Sequence, residues 1–247
     1  MLRYIISSCL LCGIFLGRSQ ESIDLQPKDT VVHREIYGLR VGLDLSRLGQ
    51  SFFTDGYTGL ELVGDFRLNQ KFYLAAELGN EKSTRQEDLY NYTSSGSYLK
   101  LGADYNTYQN WLGMQNSIFL GSRLAYSTFS QTLNDYNIYS SNRYWNPANF
   151  VVGSNPNREF GGLSAVWLEV LLGTKVELFA HIYLGASVRL GYLFTNQGSQ
   201  EFPNLWVPGF NRITDGSNFG ASYNYSISYL IPLYKKARKP IDKETDN

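Results

Sequence analysis

The side chains that could perform acid–base or nucleophilic chemistry are few in this chain. Histidine occurs only as His33 and His181, and cysteine only as Cys9 and Cys12. A histidine becomes a catalytic base when a serine, aspartate or similar partner stands beside it in the fold. His33 precedes the first predicted strand and His181 falls in a short predicted turn, and no spacing gives either one a partner. The sequence therefore predicts that the protein is not an enzyme.

Metal, cofactor and nucleic-acid sites are equally unsupported. Two isolated histidines form no zinc pattern, and no acidic loop follows the calcium-binding pattern of an EF-hand. No glycine motif for a nucleotide phosphate is present. The 22 basic and 22 acidic residues give a formal net charge of +0, which offers no field to hold nucleic acid. We expect no cofactor, no metal and no nucleic-acid partner.

The first 19 residues have the features of an export signal. Arg3 provides a positive start, residues 4–16 are mostly apolar, and the small residues Gly17 and Ser19 precede a plausible cut before Gln20. The apolar run is shorter than the roughly 20 residues that a spanning helix needs, so a retained anchor is the weaker alternative. Cleavage would remove both cysteines. The predicted organisation is a signal peptide 1–19, a periplasmic lead 20–35, a barrel 36–234 and a basic periplasmic tail 235–247.

Eight segments after the lead alternate between apolar and polar residues with the period of a β-strand. In the first, Leu39, Val41 and Leu43 share one face, while Arg40 and Asp44 share the other. The eight segments lie near 37–46, 60–68, 72–79, 99–105, 118–126, 168–176, 182–191 and 219–229. Most approach the ~9–11 residues of a tilted membrane-spanning strand.

The connections between these segments alternate in length. Those at 69–70 and 177–181 are tight, whereas those at 80–96, 129–161 and 195–217 are long. Outer-membrane barrels have short periplasmic turns and long outer loops in this order, and an even strand count returns the C-terminus to the periplasm. The prediction is an all-β protein: an eight-stranded antiparallel transmembrane β-barrel with up-and-down topology. We expect it in the cell outer membrane, in contact with lipid.

The composition of the two faces indicates which one meets lipid. The polar face is rich in small residues and carries charges of both signs, as the crowded interior of an eight-stranded barrel requires. A basic side chain costs about 2–4 kcal/mol at the lipid midplane, so we expect the charged residues to pair in the lumen. The predicted lumen ion pairs involve Arg40, Asp44, Glu61, Asp65, Glu77, Lys100, Asp104, Arg123, Glu169 and Arg189.

Aromatic residues near the segment ends predict two girdles on the lipid face. The predicted girdle residues are Tyr37, Phe66, Phe72, Tyr105 and Tyr234 on the periplasmic side, with Tyr126, Tyr192 and Phe219 on the outer side. The opposite assignment, a soluble lipocalin-like periplasmic binder with its apolar face inside, stays open from alternation alone.

Aromatic residues in the long loops are the best binding candidates. The third loop offers Tyr144 and Trp145, and the fourth offers Trp206 and Phe210. Exposed aromatics of this kind bind glycans or other envelope proteins. Over a ligand site in these loops, we favour the interpretation that the loops pack on one another and cap the barrel. The sequence favours a structural or interaction role over a transport or small-ligand-binding barrel, because the predicted lumen is filled.

Several segments also resemble a known family. They are YGLRVGLDLSRL, DFRLNQKFYLAAELGNE, NWLGMQNSIFLG, STFSQTL, VPGFNR and YSISYLIPLYKK. These segments resemble an uncharacterised family of Bacteroidota, a domain of unknown function that is expected to form a small outer-membrane barrel. The resemblance covers roughly residues 36–236. It implies a fold and a location, and it carries no activity, ligand or site residue.

Overall fold

The computed structural model describes residues 34–108, 115–139, 150–152, 157–199, 201–213 and 217–237. The predicted signal peptide 1–19, the lead up to His33 and the tail from residue 238 lie outside these residues. So do Tyr144 and Trp145 of the third predicted loop.

One helix and eleven strands form in the described residues. The helix is α1, Leu45–Phe53. The strands are β1 Arg34–Asp44, β2 Tyr57–Arg67, β3 Phe72–Gln86, β4 Tyr90–Asn106, β5 Ser117–Tyr139, β6 Phe150–Val152, β7 Arg158–Phe179, β8 Ile182–Gln197, β9 Trp206–Val207, β10 Asn211–Arg212 and β11 Phe219–Ala237.

Eight of these strands close into a ring. The sheet order is β4-β3-β2-β1-β11-β8-β7-β5, and a further pairing of β4 with β5 joins the two ends. Every neighbouring pair is antiparallel. The predicted eight-stranded antiparallel up-and-down barrel is therefore confirmed as a fold. We call the end that holds Arg34 and Ala237 the terminal end, and the end that holds α1 the loop end.

The strand register fixes the width of this ring. Cross-strand partners can be followed once around it: Ile231, Leu39, Phe66, Leu74, Ala103, Ser122, Val170, Leu190 and finally Ala221. The path returns to β11 displaced by 231 − 221 = 10 residues. With spacings of about 3.3 Å along a strand and about 4.8 Å between strands, this stagger tilts the strands by about 40° and gives a Cα radius of about 8 Å. Side chains can fill such an interior.

Apolar side chains cover the outside of the ring. Leu124, Leu172, Val188 and Leu190 are 58–63% exposed although they lie in mid-strand. On β8 the outward apolar run from Ile182 to Tyr192 covers 192 − 182 = 10 residue steps, or about 25 Å along the barrel axis at this tilt. We call this surface the apolar belt. Its outward direction overturns the lipocalin-like alternative, in which the apolar face points inward.

Six of the eight predicted girdle residues lie on the outward side of their strands and are exposed or half-buried. The exceptions are Tyr37, which is only 5% exposed, and its cross-strand partner Tyr234. The register between β1 and β11 shifts between Tyr37 and Gly38, which turns Tyr37 away from the belt. Its ring stacks on that of Tyr234 at a centroid distance of 5.3 Å and lies under the guanidinium of Arg67 at 4.5 Å.

Several segments predicted as loops are instead extensions of the strands beyond the apolar belt. The predicted long loop 80–96 is wrong, because β3 continues to Gln86 and β4 begins at Tyr90. Hydroxyl and amide side chains form cross-strand hydrogen bonds here. Thr84 Oγ1 lies 2.9 Å from Thr93 Oγ1, and Asn80 Nδ2 donates to Ser97 Oγ at 2.9 Å. Both faces are largely polar here, so hydropathy does not alternate even though threonine suits a strand.

Helix α1 replaces the outer part of β1. The pairing of β1 with β11 ends at Asp44 and Ser226, and that with β2 ends at Leu43 and Leu62. Both β2 and β11 continue towards the loop end past this point, and α1 lies beside them. The Ser51 hydroxyl accepts a hydrogen bond from Gly59 N at 2.8 Å and donates to Gly59 O at 3.2 Å. The helix thus satisfies backbone groups that a longer β1 would otherwise pair.

Candidate functional site

The centre of the lumen is an ion-pair cluster around Lys100. Its Nζ lies 3.1 Å from Glu169 Oε1 and 3.9 Å from both Glu61 and Glu77. Lys100 is 1% exposed. Arg189 contacts the same Glu77 at 2.5 Å and Glu169 at 3.3 Å. A buried cation is tolerable only with carboxylates at this distance, and each carboxylate here contacts at least one cation.

A second cluster continues towards the terminal end. Arg123 holds Asp104 with two hydrogen bonds of 2.7 and 3.0 Å and contacts Glu77 at 3.2 Å, so it joins the two clusters. Asp65 lies between Arg40 at 2.7 Å and Lys175 at 2.5 Å. Two-point pairing of a guanidinium with a carboxylate fixes the geometry of both groups. The lumen is therefore filled by a connected network rather than by isolated pairs.

Nine of the ten residues predicted as lumen ion pairs lie in these clusters, and Asp44 does not. The Asp44 carboxylate accepts hydrogen bonds from Ser46 N at 2.7 Å and Ser46 Oγ at 2.6 Å, and so caps α1. An aspartate at this position offsets an unpaired backbone donor at the helix start. Within the described residues, no ion pair joins Asp44 to a basic side chain.

Three contributors to the lumen were not predicted. Lys175 shares Asp65 with Arg40. Glu81, which lies in the predicted loop 80–96, and Arg47, which follows the first predicted strand, contact each other at 3.3 Å. The signal for Glu81 was available, since it continues the inward parity of Glu77 and Gly79. Arg47 has no such signal, because it reaches the lumen from a helix.

Trp206 and Phe210, predicted as exposed binding residues, are buried. They belong to residues 201–213, which fold back into the loop end of the barrel, and we call this segment the inserted loop. Trp206 is 7% and Phe210 4% exposed. The Trp206 indole donates to Glu81 Oε1 at 2.9 Å, and Ser94 Oγ donates to Trp206 O at 2.9 Å. The placement corresponds to the capping interpretation and not to an outward binding surface.

Glycines make room for Phe210. A Cβ on Gly191 or on Gly220 would lie 2.8 Å from the Phe210 ring, closer than side chains pack. Phe210 meets Trp167 edge-on with ring centroids 5.7 Å apart, within a buried apolar cluster that includes Tyr98 and Val207. Trp167 in turn donates to Glu169 Oε1 at 2.7 Å, which connects the inserted loop to the ion pairs.

The inserted loop is also held by a charged side chain of α1. Arg47 of α1 contacts Glu81 and donates to Asn211 Oδ1 at 3.2 Å. Burial alone would lower the pKa of Arg47, but the Glu81 carboxylate raises it well above its ordinary value. Arg47 therefore stays a cation at every accessible pH. Glu81 also accepts from Gly209 N at 2.9 Å, so one carboxylate holds both the helix and the loop.

Among the described residues, the lumen holds a cavity of about 30 Å³ beside the ion pairs, and residues that line it include Asp65, Arg123, Lys175, Arg189 and Ser226. One water needs roughly 10–15 Å³, so the cavity accommodates about two waters. Its lining combines these charged groups with apolar side chains that include Val63, Phe119 and Leu171, and its volume is too small for an organic ligand.

His181 occupies the β7–β8 turn with φ 73, where its backbone N donates to Glu177 Oε1 at 3.2 Å. Its Nδ1 is buried with no hydrogen-bond partner among the described residues. Within the residues that the structure describes, no group of three or more His, Cys, Asp or Glu side chains could hold a metal. The described helix is too short and too polar to cross a membrane.

Comparison with known proteins assigns the chain to a family. Residues 1–236 match the family model "Domain of unknown function (DUF6048)", and the chain belongs to that family. The sequence resemblance to a domain of unknown function is thus confirmed at this level. A search of curated proteins finds no match. Among solved structures, the crystal structure of Acinetobacter baumannii CarO2 is similar, with 12% identity, 81% of this chain and 100% of that chain covered, and a TM-score of 0.36.

Proposed function

We propose that the protein is an outer-membrane β-barrel with a closed lumen, which serves a structural or interaction role rather than transport or catalysis. The observation that carries this proposal is the apolar belt, about 25 Å tall, around a ring whose interior is charged. In water this arrangement would expose the apolar face and bury the ions. In a bilayer the apolar outer face contacts lipid while the charged interior stays away from it. A closed ring also leaves no unpaired strand edge in the hydrocarbon.

The proposed orientation places the terminal end in the periplasm. The connections at that end include the tight turns after Arg67 and Phe179, whereas the loop end carries α1, the inserted loop and the long β3–β4 hairpin. Short periplasmic turns and larger outer elements are the rule for such barrels. The predicted cleaved signal would deliver the chain to that compartment.

Two features support a closed barrel rather than a channel. The ion pairs occupy the middle of the lumen, and the inserted loop occupies its loop end. Opening a path would require separating Lys100 from its carboxylates or withdrawing Trp206 and Phe210 from the barrel. A transport role would thus need a large rearrangement, and we place interaction with other envelope proteins on the exposed strands beyond the belt.

Two experiments test the membrane location. The first is heat-modifiability, and the second compares single arginine substitutions at two outward-facing positions. Folded barrel in isolated outer membranes should migrate faster in unboiled than in boiled samples on a denaturing gel. Leu172→Arg puts a cation in the belt and should cost about 2–4 kcal/mol in urea unfolding from lipid vesicles. Thr128→Arg, on the outward face beyond the belt, is the matched control and should cost little. A soluble periplasmic protein, or equal effects of the two variants, would overturn the membrane location.

Closure of the lumen is tested separately in planar bilayers. The protein should give no steady single-channel conductance, and deletion of residues 201–213 should leave conductance low because the ion pairs remain. Reproducible conductance of the unmodified protein would instead establish the transport alternative.

A further inference from the structure

Helix α1 presents its apolar side away from the barrel. Arg47 and Ser51, four residues apart, face the barrel, where Arg47 contacts Glu81 and Ser51 contacts Gly59. Residues four apart lie on one side of a helix. Leu45, Leu48 and Phe52 have the i, i+3, i+7 spacing of a separate apolar stripe.

The most exposed large apolar side chains of the described residues are on this helix. Phe52 is 82% and Phe53 91% exposed. In a protein dissolved in water, a short surface helix would place these rings against the core. Here the barrel-facing side of the helix is polar, so the rings have no apolar partner within the described chain.

The apolar side of α1 is continuous with the apolar belt. Leu45, the first helical residue, is 40% exposed and directly follows the outward row of β1. Ser51 is bonded to Gly59, next to Leu60, which is 47% exposed at the loop-end margin of the belt. Phe52 and Phe53 therefore lie close to the loop-end margin of the belt.

We propose that α1 is an interfacial anchor whose Phe52 and Phe53 side chains insert among the lipid acyl chains of the outer leaflet. The occupant of this surface is lipid, because the surface extends the belt without a break and has no charged side chain on its apolar stripe. An amphipathic helix in this position binds a membrane through buried apolar area. The proposal rests on the proposed function, since it requires the belt to contact a bilayer.

Lipid contact would add to the bonds that already hold α1 against the strands. These include the Arg47–Glu81 ion pair at 3.3 Å, the two Ser51–Gly59 hydrogen bonds and a long bond from Ser46 Oγ to Tyr223 O at 3.5 Å. Lipid contacts on the opposite side would press the helix against the edges of β2 and β11. Beyond Asp44, where β1 has ended, α1 then closes the barrel wall, with the strands on its inner side and lipid on its outer side.

The test uses the full-length protein in phosphatidylcholine vesicles that carry a nitroxide either high or low on the acyl chain. Phe52→Trp is compared with Leu172→Trp in the belt and with Leu89→Trp at the tip of the β3–β4 hairpin, each after subtraction of wild-type emission. We expect the high nitroxide to reduce the Phe52→Trp increment by at least about half, and Leu172→Trp to respond more to the low nitroxide. Leu89→Trp should be nearly unaffected by either.

The outcomes separate this proposal from the proposed function. Quenching of Leu172→Trp without quenching of Phe52→Trp would leave the barrel in the membrane and overturn the anchor. If Leu172→Trp is not quenched either, both proposals fall. Quenching of Phe52→Trp by aqueous iodide instead would mean that α1 faces solvent, and protection from every quencher would mean that protein covers it; either result overturns the lipid assignment.

A second measurement tests the effect on the helix itself. Phe52→Ser/Phe53→Ser should raise amide hydrogen exchange in α1 by about tenfold in vesicles, because the helix loses its lipid contacts. Exchange in β8 should stay unchanged, and Leu89→Ser is the matched control for removing an exposed apolar side chain. Unchanged exchange in α1 would contradict the anchor.

Discussion

The carboxylate of Glu81 on β3 and the indole of Trp206 in the inserted loop hold each other inside the mouth of the barrel, with Trp206 Nε1 donating to Glu81 Oε1 at 2.9 Å. Glu81 is fully buried and also receives Gly209 N and Arg47. Removal of one donor therefore leaves a buried carboxylate with fewer partners and takes away one of the hydrogen bonds that hold the loop.

Trp206→Phe keeps an aromatic ring in place and deletes the Nε1 donor. We expect the free energy of unfolding to fall by about 1–3 kcal/mol, with faster amide exchange in residues 201–213. Urea unfolding in vesicles and exchange mass spectrometry measure the two effects. Phe202→Leu, which alters a partly buried aromatic of the same loop without touching Glu81, is the control. Equal exchange in wild type and Trp206→Phe would show that the bond does not hold the loop.

Lys100→Met removes the central cation of the lumen. Glu61, Glu77 and Glu169 then lose a shared partner in a buried site, and we expect a cost of about 3–5 kcal/mol in urea unfolding. Lys82→Met, which removes an exposed lysine from the outward face of β3, should have little effect. If the two variants unfold alike, Lys100 does not offset the carboxylate charge.

Gly191→Ala adds a methyl group where the Phe210 ring stands. The new Cβ would lie 2.8 Å from that ring, so we expect a loss of about 1–3 kcal/mol and a displaced inserted loop. Phe210→Ala should relieve the crowding, and the double variant should be less affected than the sum of the two single changes. Gly161→Ala meets nothing within 4 Å and is the control. Strict additivity would rule out this contact.

Tyr92 makes the free energy of unfolding depend on pH in the alkaline range. It lies beyond the belt on β4, packed with Tyr57 and Trp206, and burial raises its pKa to about 12 from the ordinary 10.0. Because the folded pKa is the higher one, the stabilisation is complete below about pH 10 and is lost as the pH rises through about 12. Tyr92→Phe should therefore lose less stability than wild type between these values in urea unfolding. Identical pH profiles would contradict the assignment.

The sequence predicted the ring and most of its charged interior. Where the two faces of a strand differ, as in β1 with Leu39 outward and Arg40 inward, the sequence shows both that a strand is present and which side each residue faces. Prediction failed where the two faces are alike. Beyond Asn80 and Ser97 the outward residues are also polar, so the strand extensions looked like loop.

The inserted loop and α1 were beyond sequence reasoning for a different reason. An apolar residue in a connection gives no sign of whether it faces outward or folds inward, and both interpretations were open for Trp206. That choice depends on Glu81 and on the space left by Gly191 and Gly220, which are distant along the chain. Asp44 was misassigned because a helix start and a lumen acid look alike when the helix itself is not recognised.

The junction between β1 and β11 has a kinetic consequence. All other neighbours in the ring follow one another along the chain, whereas Gly42 pairs with Ser228, a separation of 228 − 42 = 186 residues. Closing such a long loop costs more chain entropy than forming any hairpin, so we expect this junction to form last and to limit the rate at which the barrel matures. Because α1 replaces the outer part of β1, the pairing of β1 with β2 covers only Leu39–Leu43, and the finished ring should first come apart there.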